Sequence, residues 1–301
     1  MGRRFELTDE EWEVIAPLLP STDPRRGGRW RDHRQVLNGI VWRVRTGVAW
    51  RDVPERYGPW QTLYKRFARW EVDGTWARIE QYLQVRADAA CELDYHGQID
   101  STVVRAHQHA AGARKRMPAA QAARAQALGR SRGGLTTKIH TIGDGRGRNL
   151  ATVLTPGRDS DTRQLPVLLE RIRIPRPGGI GRPRTRLDSL TGDKAYSSAA
   201  NRRLLRRRHI KVTIAQPRDQ AAHRQAKGRH GGRPPAFDHT RYRRRNHIER
   251  LMNRRKQFRA VATRYDKLAR RYRATIQIAD IMIWLRARPD RTHTPDPGNT
   301  V

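Results

Sequence analysis

Apolar positions recur at helical spacing through the first ninety residues and at strand spacing afterwards. Thr8-Asp9-Glu10-Glu11 is a capping-box opening with acids in the first turn, and Trp12, Ile15 and Leu19 follow on one helical face until Pro20 stops the run. Residues 21–31 form a polar, basic turn. Val36, Ile40 and Val44 mark the inner face of a second helix that starts near Asp32 and ends at Gly47. A short helix is expected over 50–57. Past Gly58-Pro59 comes a helix with Leu63, Phe67 and Trp70 on one face and Lys65, Arg66 and Arg69 elsewhere on its surface. A helix over about 75–91 completes the segment. Helix, tight turn and helix with a basic outer face is the helix-turn-helix pattern, which makes Lys65, Arg66 and Arg69 candidate DNA contacts. A small helical bundle with solvated arginines has the same pattern.

After residue 92 the texture changes. Residues 98–104 are rich in β-branched side chains and read as a strand. Residues 110–132 are a basic excursion with no apolar seam. Segments 135–142 and 150–154 form a strand pair across a glycine-rich turn at 143–147. A helix over 162–172 and a Pro-, Gly- and Arg-rich loop over 175–186 come next. A short strand over 187–191 ends at Gly192-Asp193. A helix over 198–208, a strand over 211–214 and a basic loop over 216–238 follow. From 242 the chain is expected to be helical to about 287, and the Pro-rich tail to be disordered. This order predicts an α/β mixed sheet flanked by helices. The division expected is a helical DNA-binding domain over 1–92, a catalytic α/β domain over 93–288 and a tail over 289–301.

Charge narrows the class of partner. Lys and Arg number 63 against 29 Asp and Glu, a net charge of +34, and such a surface calls for a polyanion, nucleic acid first. Only 8 of the basic residues are Lys, a skew typical of GC-rich coding, but coding bias does not explain the missing acids. Cys91 is the sole cysteine, which excludes an intrachain disulfide and a cysteine-based zinc cluster and suits a reducing compartment. The N-terminus lacks an apolar signal core, and the apolar run at 276–285 is short and contains Asp280. A soluble, cytoplasmic, nucleoid-associated protein with no membrane partner is expected. Gly143-Asp144-Gly145-Arg146-Gly147 is too short and wrongly placed for a dinucleotide loop, and there is no phosphate-loop motif, so no nucleotide cofactor is expected.

The scarce acids then matter. Asp100 follows Ile99 in the first strand, Asp193 ends a later strand, and Glu249 stands among arginines. Between 241 and 273 there are 14 Lys or Arg and two acids, Glu249 and Asp266. On one continuous helix, Tyr242, Arg245, Glu249 and Lys256 fall near 0°, 300°, 340° and 320°, a single stripe, at about 100° per residue. A stripe of Tyr, Arg, acid and Lys suits a site handling phosphate and metal; a solvated Arg245–Glu249 pair fits the geometry equally well. Asp188 competes with Asp193, Asp144 suits a turn, and Asp159 and Asp161 suit helix capping better than a supporting role at the site. His107 and His109 lack further ligands and suit phosphate or backbone contacts.

Tyr242-x2-Arg245-x3-Glu249-x6-Lys256 resembles the signature of insertion-sequence transposases of groups four and five in all residues and spacings. Residues 98–109 resemble the first catalytic strand of group five, the closer of the two, and Thr191-Gly192-Asp193-Lys194-Ala195-Tyr196 the second-aspartate segment. Gly133–His140 and Leu154-Thr155-Pro156-Gly157 are in the same style, and residues 42–70 resemble the preceding domain. The resemblance runs from about Leu7 to Leu285. It implies an RNase H-like fold and a DDE endonuclease and strand transferase acting on double-stranded transposon ends and target DNA. It also implies Asp100, Asp193 and Glu249 as catalytic acids holding two Mg²⁺ ions, with Mn²⁺ able to substitute. Tyr242, Arg245 and Lys256 would grip phosphates, and a homodimer would pair the two ends. A DNA-binding repressor or decayed transposase, and a nuclease of the same fold, remain rival readings; the intact acids and the stripe favour strand transfer.

Overall fold

The computed structural model describes residues 5–23, 30–112, 125–131 and 134–287. The expected tail and most of the basic excursion at 110–132 lie outside these residues.

Four helices open the chain: α1 (Asp9–Ile15), α2 (His33–Thr46), α3 (Trp60–Val72) and α4 (Thr75–Ala89). Their ends follow from local chemistry. Thr8 and Glu11 form the reciprocal capping box, and the Asp32 carboxylate accepts from the Gln35 N–H at 2.6 Å. Gly47 ends α2 in the left-handed conformation, φ 73°, which costs glycine nothing. The helix expected over 50–57 is instead two 3₁₀ turns, Trp50–Asp52 and Glu55–Tyr57, because Pro54 between them cannot donate to a continuous ladder.

The sheet begins with β1 (His96–Ala106), followed by the short helical turn α5 (Gln108–Ala111), β2 (Gly129–Ser131), β3 (Gly134–Gly143) and β4 (Asn149–Pro156). Helix α6 (Gln164–Arg171), β5 (Ser189–Gly192), α7 (Ala199–Arg207) and β6 (Lys211–Ile214) come next. Strand order is β2-β3-β1-β5-β6. β1, β3 and β4 make an antiparallel meander, whereas β5 and β6 run parallel to β1. Asp144 fastens the β3–β4 turn: its buried carboxylate accepts from the backbone of Arg146 and Arg148 and from the Arg148 guanidinium. It is a structural acid, as the turn context suggested.

The basic loop expected over 216–238 contains a helix, α8 (Arg218–Ala226). The continuous helix expected from 242 is broken into α9 (His239–Arg243), α10 (Asn246–Lys256), α11 (Arg259–Ala262), the two-residue β7 (Thr263–Arg264) and α12 (Ala269–Leu285). β7 leaves the helical path to pair with the end of β1, Arg105 opposite Thr263. The buried Arg264 guanidinium holds it there by donating to the carbonyls of Gln126, Ala127, Asp266 and Lys267 and to the Thr137 hydroxyl.

One hydrophobic core runs from Leu7 to Trp284. α12 packs against α2, α3 and α4 as well as β4. Arg271 of α12 donates to the Ala68 carbonyl and Glu71 at the end of α3. The first helices therefore share their core with the last one. No helix among the described residues is long and apolar enough to cross a membrane.

Candidate active site

Two strands share one edge of β1. β5 pairs with His96–Ile99 and β7 with Arg105–Ala106. Between them, residues 100–104 have no strand partner on that edge among the described residues, so the sheet is notched beside Asp100. The last β1–β5 pair is Ile99 with Gly192. Asp100 and Asp193 are each the next residue, so the same register brings two carboxylates to the notch on strands about 4.8 Å apart. Gly192 leaves no room for a side chain: a Cβ there would lie 2.8 Å from Ile99.

Glu249 comes from α10, which packs across β1 and β3. Gln98, two residues before Asp100 and on the same face, accepts from the Ile248 N–H at 3.0 Å. That bond fastens the first turn of α10 to the strand carrying Asp100. His247 and Arg254 of the same helix bond to the carbonyls of Gly145 and Gly147 in the β3–β4 turn. Deeper, Arg255 is fully buried and donates to Asp280 and to the hydroxyls of Thr141 and Thr152.

Arg245 joins the acids. Its guanidinium is 3.7 Å from the Asp100 carboxylate and is hydrogen-bonded to Glu249. The Asp100 carboxyl is pushed up to about 6, chiefly by burial, with the negative charges of Asp193 and Glu249 adding to it; the Ser101 N–H and Arg245 pull it down. Among the described residues no three His, Cys, Asp or Glu side chains stand close enough to form a ready metal cage. The donors nevertheless suit a hard divalent cation, being carboxylate oxygens only.

Tyr242 lies on α9 and Lys256 at the end of α10, so the stripe is not one helix. The turn at Arg244–Arg245 is closed by bonds to the third residue back, Arg245 to Tyr242 and Ile248 to Arg245, which tightens the chain there. The Tyr242 ring still faces the Arg245 guanidinium at 5.8 Å and Phe237 at 4.9 Å. Lys256 is exposed, about two turns beyond Glu249 on the same side. On α3, Lys65 is exposed and Arg69 is exposed with its guanidinium 4.6 Å from the Trp30 ring. Arg66 differs from expectation. It is buried, stacks 4.0 Å from Trp30, and bonds to the His33 ring. Its guanidinium lies between the Trp30 and Trp70 rings, whose faces attract a cation and cover its stem.

Asp188, the rival of Asp193, pairs with Arg184 before β5 begins, away from the notch. The His107 and His109 rings meet edge to face, and the His107 ring lies tilted against Tyr265. Asp161 makes no cap. It accepts from the Ser101 hydroxyl at 2.8 Å and pairs with Lys138 at 3.1 Å and His140 at 3.4 Å. Burial pushes His140 down to about 4, so its ring is neutral. A signal for this cluster was present: Lys138 and His140 sit two apart in a strand with no other ionisable side chain, hence on one face.

A family model described as "Transposase DDE domain" matches residues 93–284, and one described as "Putative transposase of IS4/5 family" matches residues 7–80. A protein of Sinorhizobium fredii named "Uncharacterized protein y4sN" is 40% identical over 118 residues, 38% of this chain and 90% of that one. An insertion element IS402 uncharacterized 16.2 kDa protein of Burkholderia cepacia is 35% identical over 107 residues, 33% of this chain and 73% of that one. "Putative transposase for insertion sequence element IS6501" of Brucella ovis is 27% identical over 152 residues, half of this chain and all of that one. No solved structure gives a significant match. The first of these models covers more than half of the sequence, and the chain belongs to the DDE transposases, whose catalytic fold is RNase H-like.

Proposed function

We propose that this chain is the transposase of an insertion sequence. It binds the terminal inverted repeats in double-stranded DNA and cleaves at the ends by Mg²⁺-dependent hydrolysis. It then joins the 3′-hydroxyl ends to target DNA by transesterification. The observation that carries this reading is the common register of Asp100 and Asp193 at the notch, with Glu249 linked to Asp100 through Arg245.

Asp100, Asp193 and Glu249 would hold two Mg²⁺ ions, with Mn²⁺ as a substitute. When bound, the metal supplies Lewis-acid activation of the attacking and leaving oxygens. The protein's own groups do the positioning. Tyr242, Arg245 and Lys256 hold phosphates beside the acids, Arg245 by its fork of donors and Lys256 as a point charge. Lys65 and Arg69 take backbone phosphates of the end DNA, and Arg66 supports Trp30 beneath them. The division into a DNA-binding segment over 1–92 and a catalytic segment over 93–288 is functional; the two share one core. Two copies act on DNA because two ends must be joined, and the net charge of +34 favours residence on the nucleoid in the cytoplasm.

The test is incubation of the purified chain with candidate inverted-repeat duplexes and Mg²⁺, followed by mapping of nicks and joined products. Asp100→Asn, Asp193→Asn and Glu249→Gln are each expected to reduce cleavage to background while end binding persists. Strand transfer by the triple variant would overturn the assignment. Nicking without joined products would favour a nuclease.

A further inference from the structure

Asp161 sits in the segment between β4 and α6, and nothing in the reaction proposed above uses it. Two donors from two strands nevertheless converge on its carboxylate, the Ser101 hydroxyl and the Lys138 ammonium, and the neutral His140 ring stands 3.4 Å away. Lys138 also donates to the Asp159 carbonyl at 2.8 Å, closing the same turn onto β3. The neutral His140 ring faces Asp161 through Nδ1 without a hydrogen bond between them, while its Nε2 is bonded to the Thr155 hydroxyl at 2.7 Å.

The turn is tied on its other side as well. Asn201 of α7 donates to the Thr162 carbonyl and hydroxyl and to the Tyr196 carbonyl, at 3.0, 2.9 and 3.1 Å. Tyr196 closes the 3₁₀ turn that Asp193 caps by accepting from the Ala195 N–H. Residues 161–162 therefore bond to β1 through Ser101 and to the Asp193 turn through Asn201.

Ser101 transmits this to the acids. Successive strand residues point to opposite faces. The Ser101 side chain is held by Asp161 on one face, while its N–H donates to the Asp100 carboxylate at 2.8 Å. Fixing Ser101 fixes the peptide that aims Asp100.

We propose that Asp161 is a positioning residue, a fourth acid outside the catalytic three, which through Ser101 aims Asp100 and, with Asn201, sets its spacing from Asp193. The inference rests on the reading of Asp100 and Asp193 as metal ligands.

The test is a titration of the full-length chain with Mn²⁺ alone, read by the electron paramagnetic resonance of free Mn²⁺. Affinity for a random-sequence duplex is measured in parallel. Ser101→Ala and Asp161→Asn should each weaken Mn²⁺ binding by roughly 10-fold or more, a usual loss when a ligand's supporting bond is removed, with DNA affinity unchanged. The double variant should be no weaker than the worse single, because both variants act on Asp100 through the same Ser101–Asp161 contact. Ser101→Ala leaves the Lys138–Asp161 pair intact and so keeps the test open if Asp161→Asn folds poorly. Unchanged Mn²⁺ affinity in Ser101→Ala, or losses that multiply in the double variant, would overturn the proposal. If Asp100→Asn loses Mn²⁺ and these variants do not, only the positioning role fails. If Asp100→Asn keeps its Mn²⁺, the metal-ligand reading fails and this role with it.

Discussion

Arg245 keeps its guanidinium 3.7 Å from the Asp100 carboxylate, and the same group is hydrogen-bonded to Glu249. One cation thus stands where two carboxylates from different elements would otherwise repel. The same arginine is the residue proposed to hold a phosphate.

Replacing it should therefore loosen the metal-free protein. Arg245→Ala is expected to lower the melting temperature by a few degrees, the loss of a half-exposed ion pair worth about 1 kcal/mol. Mn²⁺ should raise the melting temperature of this variant more than that of the wild type, because the ion then supplies the missing charge. Thermal-shift curves with and without Mn²⁺ check this; equal responses would show that Arg245 does not offset the acids.

The helix carrying Glu249 is held from below by a buried ion pair. Arg255 and Asp280 are both about 1% exposed and bond through two nitrogens, at 2.7 and 2.8 Å. Removing one partner leaves the other charge buried alone. Asp280→Ala should cost about 3–5 kcal/mol in urea unfolding, whereas Arg255→Met with Asp280→Leu should recover most of it. A loss below about 1 kcal/mol for Asp280→Ala would mean that water or a neighbour already shares the charge.

Much of this was legible in the chain. The capping box at Thr8, the Asp32 start and the Gly47 stop are local signals, and the α1 and α2 ends follow them. The order of strands and helices predicted the mixed sheet. What was hidden depended on contacts across the chain. Nothing local says that Arg66 stacks on Trp30, that Arg264 draws β7 onto β1, or that Asp161 reaches Ser101 sixty residues away. The Tyr242–Lys256 stripe assumed one ideal helix, and the tight turn at Arg244–Arg245 breaks that assumption while leaving the Arg245–Glu249 neighbours intact. A clean boundary at residue 92 was expected from texture, but α12 returns to complete the core of the first helices.

That shared core contains a group that titrates near neutrality. Glu80 of α4 is buried and accepts from Asn149 at 2.5 Å and Gln277 at 3.1 Å. Burial, with Asp280 nearby, pushes its carboxyl up to about 7, well above its ordinary 4.5. The folded state therefore binds this proton more tightly than the unfolded chain does. Between about pH 4.5 and 7, each rise in pH weakens the folded state through Glu80, and above 7 the whole contribution has been lost. Glu80→Gln should raise the melting temperature at pH 8 relative to the wild type and leave it nearly unchanged at pH 4.5. Parallel curves for the two proteins across this range would assign the proton elsewhere.

Lys65 and Arg66, neighbours on α3, should separate in experiment. Lys65 is exposed, so Lys65→Ala should leave stability within about 0.5 kcal/mol of the wild type. If it meets a phosphate, the slope of log affinity against log salt for duplex DNA falls by about 1. Arg66 is buried between Trp30 and Trp70 and bonded to His33, so Arg66→Ala should destabilise the fold by about 1–3 kcal/mol through lost packing and an orphaned ring nitrogen. Its salt slope should match that of the wild type once both are folded. A reduced slope for Arg66→Ala with unchanged stability would return Arg66 to the DNA surface and remove it from the core.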